Sequence, residues 1–422
     1  MLFAKKTNFR WQLGVALGSL VLSGSAAADI ITDMVAGGKG SGQLRLRYEK
    51  VQQQGFANAA DATTLRTQVG FQFADVYGIG GFVQLEDVHS FGSDNYNSTV
   101  NGLTTLPLIV DPQAAEVNQA FASYKGFNTV AKFGRQVITY DNHRFIGDVG
   151  WRQNQQTYDG FTLVNQYLPG TTISLAHVTD VNTIFSELNA ARGDVELTGN
   201  FLNIAYKGFK PLAIIPYGYF IDYDTGQFFA PTASHSDIGL RLDGSTGDKL
   251  KWLYTAEYAQ QSDYKGGTST GAGAIDADYM FGMFGVGVGK VQFKLNYELL
   301  SGNGTYAFQT PFATLHAFNG WADKFLVTPA DGLEDTFLSI GGAPLYAINF
   351  MAMYHKFKSD NLGFDYGDEL DVSVGRKFGK VLLLLKYADY QGDKNALNTA
   401  RNAGQAPHND KTIYWAQAEV SF

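Results

Sequence analysis

Charged and amide side chains fall at every second position in several stretches of this chain. Arg45, Arg47 and Glu49 alternate with Leu44, Leu46 and Tyr48, and Lys294, Asn296 and Glu298 alternate with Phe293, Leu295 and Tyr297. Arg66 with Gln68, Gln84 with Glu86, Lys132, Arg241, Glu257, Asp371, and Gln417 with Glu419 hold equivalent places in other alternating stretches. Charges gathered on one face suit two kinds of work. Opposite signs can pair across a gap and hold its shape. Left facing water, Arg45, Arg47, Arg66 and Lys132 would form a basic wall that guides anionic solutes by field focusing. Both signs are present, so the pattern predicts no strong ion selectivity.

Two further stretches carry dense side-chain chemistry without alternation. Residues 134–160 hold Arg135, Asp141, Arg144, Trp151 and Arg152 among the amides of Gln136, Asn142, Gln153, Asn154, Gln155 and Gln156. Folded into a lumen, such a loop would narrow it and offer hydrogen bonds to a sugar or a carboxylate. Folded outward, it would pack on its neighbours. Residues 310–335 hold Phe312, Phe318, Asn319, Trp321, Asp323, Lys324 and Phe325. Aromatics in that number are not left free in water, which predicts an ordered plug, lid or rim.

Catalytic chemistry is not written in the same way. A barrel hydrolase needs a nucleophile within reach of a base. The seven histidines, His89, His143, His177, His235, His316, His355 and His408, show no triad spacing, and there is no Gly-x-Ser-x-Gly elbow. No HExxH, EF-hand or P-loop pattern appears, and with no Cys there is neither a disulfide framework nor a thiolate metal site. The sequence therefore reads as a non-enzyme with no cofactor and no metal. An adhesin working through its outer loops is a further alternative, but the Gly266 to Gly273 segment offers only a flexible tip.

The elements that must position these residues follow from the period of two. In a strand, alternate side chains project to opposite faces. Eighteen strands are predicted, at 43–52, 62–73, 79–88, 116–124, 128–135, 158–167, 171–180, 197–207, 212–222, 235–243, 250–260, 274–286, 290–300, 334–342, 345–357, 369–378, 381–390 and 412–422. Connections after even strands are short, as at Gly126-Phe127, Pro169-Gly170 and Gly379-Lys380. Those after odd strands are mostly long: 89–115, 136–157, 181–196, 301–333 and 391–411. A soluble sandwich has no reason to keep that parity. A transmembrane antiparallel β-barrel does, with short periplasmic turns and long extracellular loops. The fold class expected is thus all-β. Arg or Lys facing lipid at mid-membrane would cost roughly 2–4 kcal/mol, which imposes the register.

Composition agrees. Hydrophobic residues make up 45% of the chain and charged residues only 17%, against about 25% in soluble proteins. Yet no apolar run after the first residues is long enough for a spanning helix. At the start, Lys5, Lys6 and Arg10, the apolar run Leu13 to Leu22, and Ala26-Ala27-Ala28 read as a secretory signal peptide over residues 1–28. The expected barrel domain is 29–422, that is 422 − 28 = 394 residues, with a net charge of 29 − 40 = −11. That charge argues against a nucleic-acid partner. The first strand begins soon after the expected mature start, which leaves no room for a plug domain there. Aromatics such as Tyr206, Trp252, Tyr258 and Tyr414 suit interfacial girdles. In the closing strand, Tyr414, Ala416, Ala418, Val420 and Phe422 share one face. A terminal aromatic in that register suits the barrel-assembly machinery. It also predicts an outer face against lipid and lipopolysaccharide in a Gram-negative outer membrane. An even strand count places both termini in the periplasm.

Two motif regions carry a family resemblance. One is Gly134-Arg135-Gln136 with Tyr140-Asp141, Arg144-Phe145-Ile146-Gly147 and Trp151-Arg152-Gln153-Asn154. The other is Phe318-Asn319-Gly320-Trp321-Ala322-Asp323-Lys324-Phe325 ahead of Gly332-Leu333. Together they resemble the alginate-export family of outer-membrane proteins, over roughly residues 40–422. The resemblance implies an eighteen-stranded barrel and passive diffusion of an anionic uronate polymer through an Arg-rich constriction. It carries a structural or pore role onto Arg135, Asp141, Arg144, Trp151, Arg152, Asn319, Trp321, Asp323 and Lys324 as loop positions. The inward residues here mix Glu and Asp with Arg, which departs from a fully basic constriction. The expected function is a passive channel for anionic saccharides or uronate-like solutes. A general or small-organic-acid porin is the alternative.

Overall fold

The computed structural model describes residues 25–224, 229–268, 274–402 and 406–422. The alternating stretches become eighteen antiparallel strands. The first nine are β1 (Lys39–Gln53), β2 (Ala60–Val76), β3 (Ile79–Asn95), β4 (Ala114–Gly126), β5 (Thr129–Gln136), β6 (Thr157–Asn165), β7 (Thr171–Asn182), β8 (Asp194–Tyr206) and β9 (Leu212–Tyr223). The rest are β10 (His235–Thr246), β11 (Leu250–Asp263), β12 (Asp276–Val288), β13 (Val291–Leu300), β14 (Leu333–Gly342), β15 (Ile348–Lys358), β16 (Asp365–Phe378), β17 (Val381–Gly392) and β18 (Lys411–Ser421). Each strand pairs with its sequence neighbours, and β1 pairs with β18, so the sheet closes on itself. Closure removes the two free edges that an open sheet would expose. No helix among the described residues is long and apolar enough to cross a membrane. The strands are the crossing elements.

The wall has the two faces that its sequence demands. On β1, Leu44, Leu46 and Tyr48 are exposed on the outside, while Arg47 and Glu49 inside are each only 1% exposed. The register carries this alternation around the ring: Arg45 lies opposite Arg66 on β2 and Glu419 on β18. A slip of one residue would turn every charge toward lipid.

The turn parity also holds. After even strands the chain turns in 77–78, 127–128, 166–170, 207–211, 247–249, 289–290, 343–347 and 379–380. Phe127 and Asn128 both have positive φ, 53° and 55°. That is the type I′ geometry that matches strand twist. After odd strands the longest segments are 96–113, 137–156, 301–332 and 393–410. These are shorter than expected because the strands run on. β3, for example, continues through His89 to Asn95, where the residues no longer alternate cleanly. The 393–410 segment contains a short helix, Ala396–Arg401, whose first turn is capped by the Asn395 side chain accepting from the Asn398 N–H.

At the short-turn end the first residues of β1 meet Phe422, which follows β18. The Gly42 N–H donates to Phe422 O at 2.8 Å, and the Phe422 N–H to Gly42 O at 2.9 Å. The Phe422 ring lies over Gly42, where a Cβ would stand 2.4 Å from a ring carbon. A larger residue there would push the Phe422 ring aside. A helix, Ser25–Ala36, precedes β1. The expected apolar signal run lies outside the described residues, as do residues 269–273 of the Gly266 to Gly273 tip.

Candidate functional site: the loop-filled lumen

Three outer segments turn back into the barrel instead of standing in solvent. The inward charges of the wall supply the partners that hold them there. Segment 137–156 docks on β1 to β4. Arg45 donates to Gly150 O at 2.9 Å, and Arg47 donates to Trp151 O at 2.6 Å. The Arg47 guanidinium also lies 4.1 Å over the Trp151 ring. Gln153 donates to Thr64 Oγ1 at 2.9 Å, and the Gln155 N–H donates to Glu86 Oε1 at 3.0 Å. Gln68 donates to the other oxygen of Glu86 at 2.6 Å, and Asn118 bridges Gln84 and Gln155. Segment 96–113 adds Asp111, which accepts from the Gln153 N–H at 3.0 Å and lies 4.0 Å from Arg47.

Segment 301–332 docks from the other side. A parallel bridge joins Ile146 to Phe312, so the two segments form one body. Arg144 pairs with Glu298 of β13 at 2.8 Å and donates to Asn319 Oδ1 at 3.0 Å. Asn319 in turn donates to Glu298 at 2.7 Å and to Asp335 at 3.2 Å. Gly320 has φ +84°, and a Cβ there would stand 2.3 Å from Glu369 Oε2. This bare turn lets the Trp321 N–H reach Asp371 at 3.1 Å and the Ala322 N–H reach Glu369 at 2.6 Å. Arg152 ties its own segment to the wall and to segment 301–332, with Glu49 of β1 at 3.1 Å and Asp323 at 2.9 Å. Buried ion pairs with such geometry are costly to break from one side, by roughly 3–5 kcal/mol.

The tightest knot surrounds Lys386 of β17. Its ammonium lies 4.0 Å from the ring centre of Trp151, 3.7 Å from that of Trp321 and 5.2 Å from that of Trp415. It also donates to His316 Nε2 at 2.8 Å, while His316 Nδ1 faces Asp323 at 2.8 Å. A neutral ring with its proton on Nδ1 satisfies both contacts. Burial, with Lys386 alongside, pushes His316 down to about 3 despite Asp323. Burial would raise the Asp323 carboxyl, but His316 and Arg152 outweigh it and hold it well below the usual carboxylate range. Burial likewise opposes the charge on Arg152, and Glu49, Asp111 and Asp323 overcome it. Lys324 donates to Asn409 O at 2.5 Å, and burial, with Lys411 nearby, pushes it down to about 7.

The expected residues therefore divide. Arg45 pairs with Glu419 at 2.7 Å, Arg66 lies 4.0 Å from Glu86, and Arg241 pairs with Glu257 at 2.6 Å. Of the basic wall expected from Arg45, Arg47, Arg66 and Lys132, the three arginines are thus neutralised, Arg45 and Arg47 are also covered by loop backbone, and Lys132 stands apart. Asp141 accepts from Asn203 at 2.7 Å. Arg135, carried over by resemblance as a loop position but inside the expected strand 128–135, lies on β5 and forms a two-point pair with Asp159 of β6 at 2.9 and 3.0 Å. Lys386, His316, Glu369, Asp335, His355 and Trp415 were not singled out as site residues in the sequence. Lys386 follows Val381 to Leu385, an apolar run that hides the alternation.

Positive charge without a carboxylate partner lies elsewhere, toward the short turns. Lys207, Lys210 and Lys294 line a cavity of 580 Å³ with Asp243, Ser245, Leu253 and Met283. A neighbouring cavity of 230 Å³ shares Lys294 and adds Lys290, Ser339 and Gly341. Among the described residues none of these lysines, nor Lys132 on the opposite wall, forms an ion pair. Lys132 rests over the Phe121 ring at 4.5 Å.

A closed wall with an apolar outside, a polar lumen and inserted loops defines a passive outer-membrane channel of the porin type. The family model described as Alginate export matches residues 40–363, and the chain belongs to that family. No curated protein matches it. Among solved structures it is similar to Acinetobacter baumannii OccAB2, at 15% identity and TM-score 0.69, over 92% of this chain and 99% of that one. It is also similar to Pseudomonas aeruginosa OccK5 (OpdH), at 12% identity and TM-score 0.66, over 92% and 99%. A third is Pseudomonas aeruginosa OpdK, solved with vanillate, at 14% identity and TM-score 0.64, over 91% and 99%. At these identities the likeness is one of fold.

Proposed function

We propose that the channel passes anionic solutes, uronate-like saccharides first, by diffusion between the periplasm and the outside. One observation carries this reading. The inward lysines Lys207, Lys210 and Lys294 surround an open cavity and form no ion pair among the described residues; its one lining carboxylate, Asp243, pairs instead with Arg241 at 3.4 Å, and the other arginines of the wall are paired as well. Unpaired ammonium groups in a recess with low-dielectric walls raise the local concentration of anions. The short-turn end that carries these lysines is read as periplasmic, with both chain ends there. The outer face is read as lying against lipid and lipopolysaccharide, with the strand ending at Phe422 presented to the assembly machinery.

A second reading, a channel for small organic acids, is favoured by the modest size of the recess and by the barrel solved with vanillate. Planar-bilayer recordings with oligouronates and with small monocarboxylates as blockers separate the two. Block by oligouronates at lower concentration supports the saccharide reading. Block by monocarboxylates alone supports the second. A current that neither affects contradicts both.

A further inference from the structure

Among the described strand residues near the short turns, Lys132, Asp243, Lys251, Lys294 and Lys377 turn inward. Arg376 does not. It lies opposite Ile348 on β15 and Leu383 on β17, and Leu383 is an exposed residue of the outer face. An Arg on that face is tolerated only near the interface, where its cost falls from roughly 2–4 kcal/mol to about 0–1 kcal/mol. Arg376 meets this condition, since the turn at Gly379-Lys380 follows within roughly 10 Å of strand. Its guanidinium rests 4.7 Å over the Phe378 ring. That contact orients the group and leaves its N–H donors without an acceptor among the described residues.

The surface beside it is a valley. Ala418 lies between Leu383 of β17 and Leu46 of β1, and Ala416 between Leu385 and Tyr48. The small residues of β18 form the floor, and the larger ones on either side form ridges two strand spacings apart, roughly 10 Å. The groove measures 610 Å³ and includes Arg376 and Phe378. At its loop-side end Tyr387 and Tyr414 meet with ring centres 5.1 Å apart. The valley is thus closed above and open toward the cation.

From this geometry we infer a binding site for one anionic phospholipid of the leaflet at the short-turn end. One acyl chain lies along Ala416 and Ala418, and the phosphate accepts hydrogen bonds from Arg376. Charge complementarity selects this occupant, because a zwitterionic headgroup gains less from a lone guanidinium. Lys380 at the tip of the same hairpin adds to the attraction. The inference rests on the wall facing lipid and is independent of what the channel carries.

Native mass spectrometry of the purified full chain in detergent tests it, with titration of phosphatidylglycerol, phosphatidylcholine of the same acyl chains, and inorganic phosphate. The expected result is one retained phosphatidylglycerol, about fivefold preferred over phosphatidylcholine. Arg376→Gln removes the preference, Arg376→Lys keeps part of it, and Ala418→Phe abolishes retention by filling the valley. If Ala418→Phe does not fold, Ala416→Leu serves the same purpose. Unchanged preference in Arg376→Gln, unchanged retention in the valley variant, or equal competition by inorganic phosphate would overturn the site.

Discussion

The middle of the lumen and its short-turn end handle charge in opposite ways. In the middle, Arg45, Arg47, Arg144 and Arg152 are fixed by carboxylates, backbone carbonyls and indole rings. Their charges hold two loops in place. At the short-turn end, Lys207, Lys210 and Lys294 face a cavity and form no ion pair among the described residues, the lining Asp243 being turned to Arg241. The lesson is that a count of inward cations does not locate a pore's attraction for anions. Partnering decides it. A planar guanidinium suits multi-point pairing in a buried scaffold, while an ammonium on a flexible stem suits transient contact with a passing solute.

The contrast can be broken first at the scaffold. Arg152→Ala leaves Glu49 and Asp323 buried without their counter-charge, a loss of roughly 3–5 kcal/mol. Undocked loops, a several-fold rise in single-channel conductance and new protease cuts within 137–156 are expected. Unchanged conductance together with an intact loop would show that Arg152 is not a pin.

The lysine end should respond differently. With Lys207, Lys210 and Lys294 all changed to Gln, conductance at high salt stays near the wild-type value. The on-rate for oligouronate block from the short-turn side falls several-fold, and its salt dependence weakens. Equal loss of block from both sides would remove the asymmetry proposed for the lumen.

Acid gives a subtler handle on the same contrast. His316 sits among Asp323, Lys386 and Arg152 and is held neutral when docked, with its folded value near 3. Released, it would titrate near its ordinary value of about 6.5. As pH falls below that value the released state takes up a proton and the docked state does not. Docking therefore weakens by about 1.4 kcal/mol per pH unit. The contribution of Asp323, whose value is depressed, is lost only below the ordinary carboxylate range. Current noise in the wild type should grow between about pH 6 and 4, and His316→Gln should flatten that dependence. A variant as acid-sensitive as the wild type would assign the effect to other groups.

Much of this was legible in the sequence, for reasons that are local. The alternation from Gln43 to Glu49 and from Val291 to Leu299 dictates strands with one polar face, and the turn parity dictates a closed barrel. The dense chemistry of 137–156 and 301–332 marked both segments as ordered. Their inward direction was not legible, because it depends on pairs such as Arg144 with Glu298 and Arg152 with Glu49, residues remote in sequence. For the same reason Arg45, Arg47 and Arg66 looked like a basic wall: their neutralising partners come from other strands and from loop backbone. Lys386 stayed hidden in an apolar run, and the three tryptophans that enclose it come from two loops and β18.

Whether the unpaired lysines set the attraction for anions is read from the reversal potential in a KCl gradient, comparing the wild type, the Lys207, Lys210 and Lys294 to Gln variant, and a variant in which Arg45 and Glu419 are both Gln. An anion-selective wild type is expected, with a clear shift toward cations in the lysine variant and no shift when the paired charges are removed together. A lysine variant with the wild-type reversal potential, or a shift confined to the Arg45 and Glu419 variant, would contradict that role of the lysines.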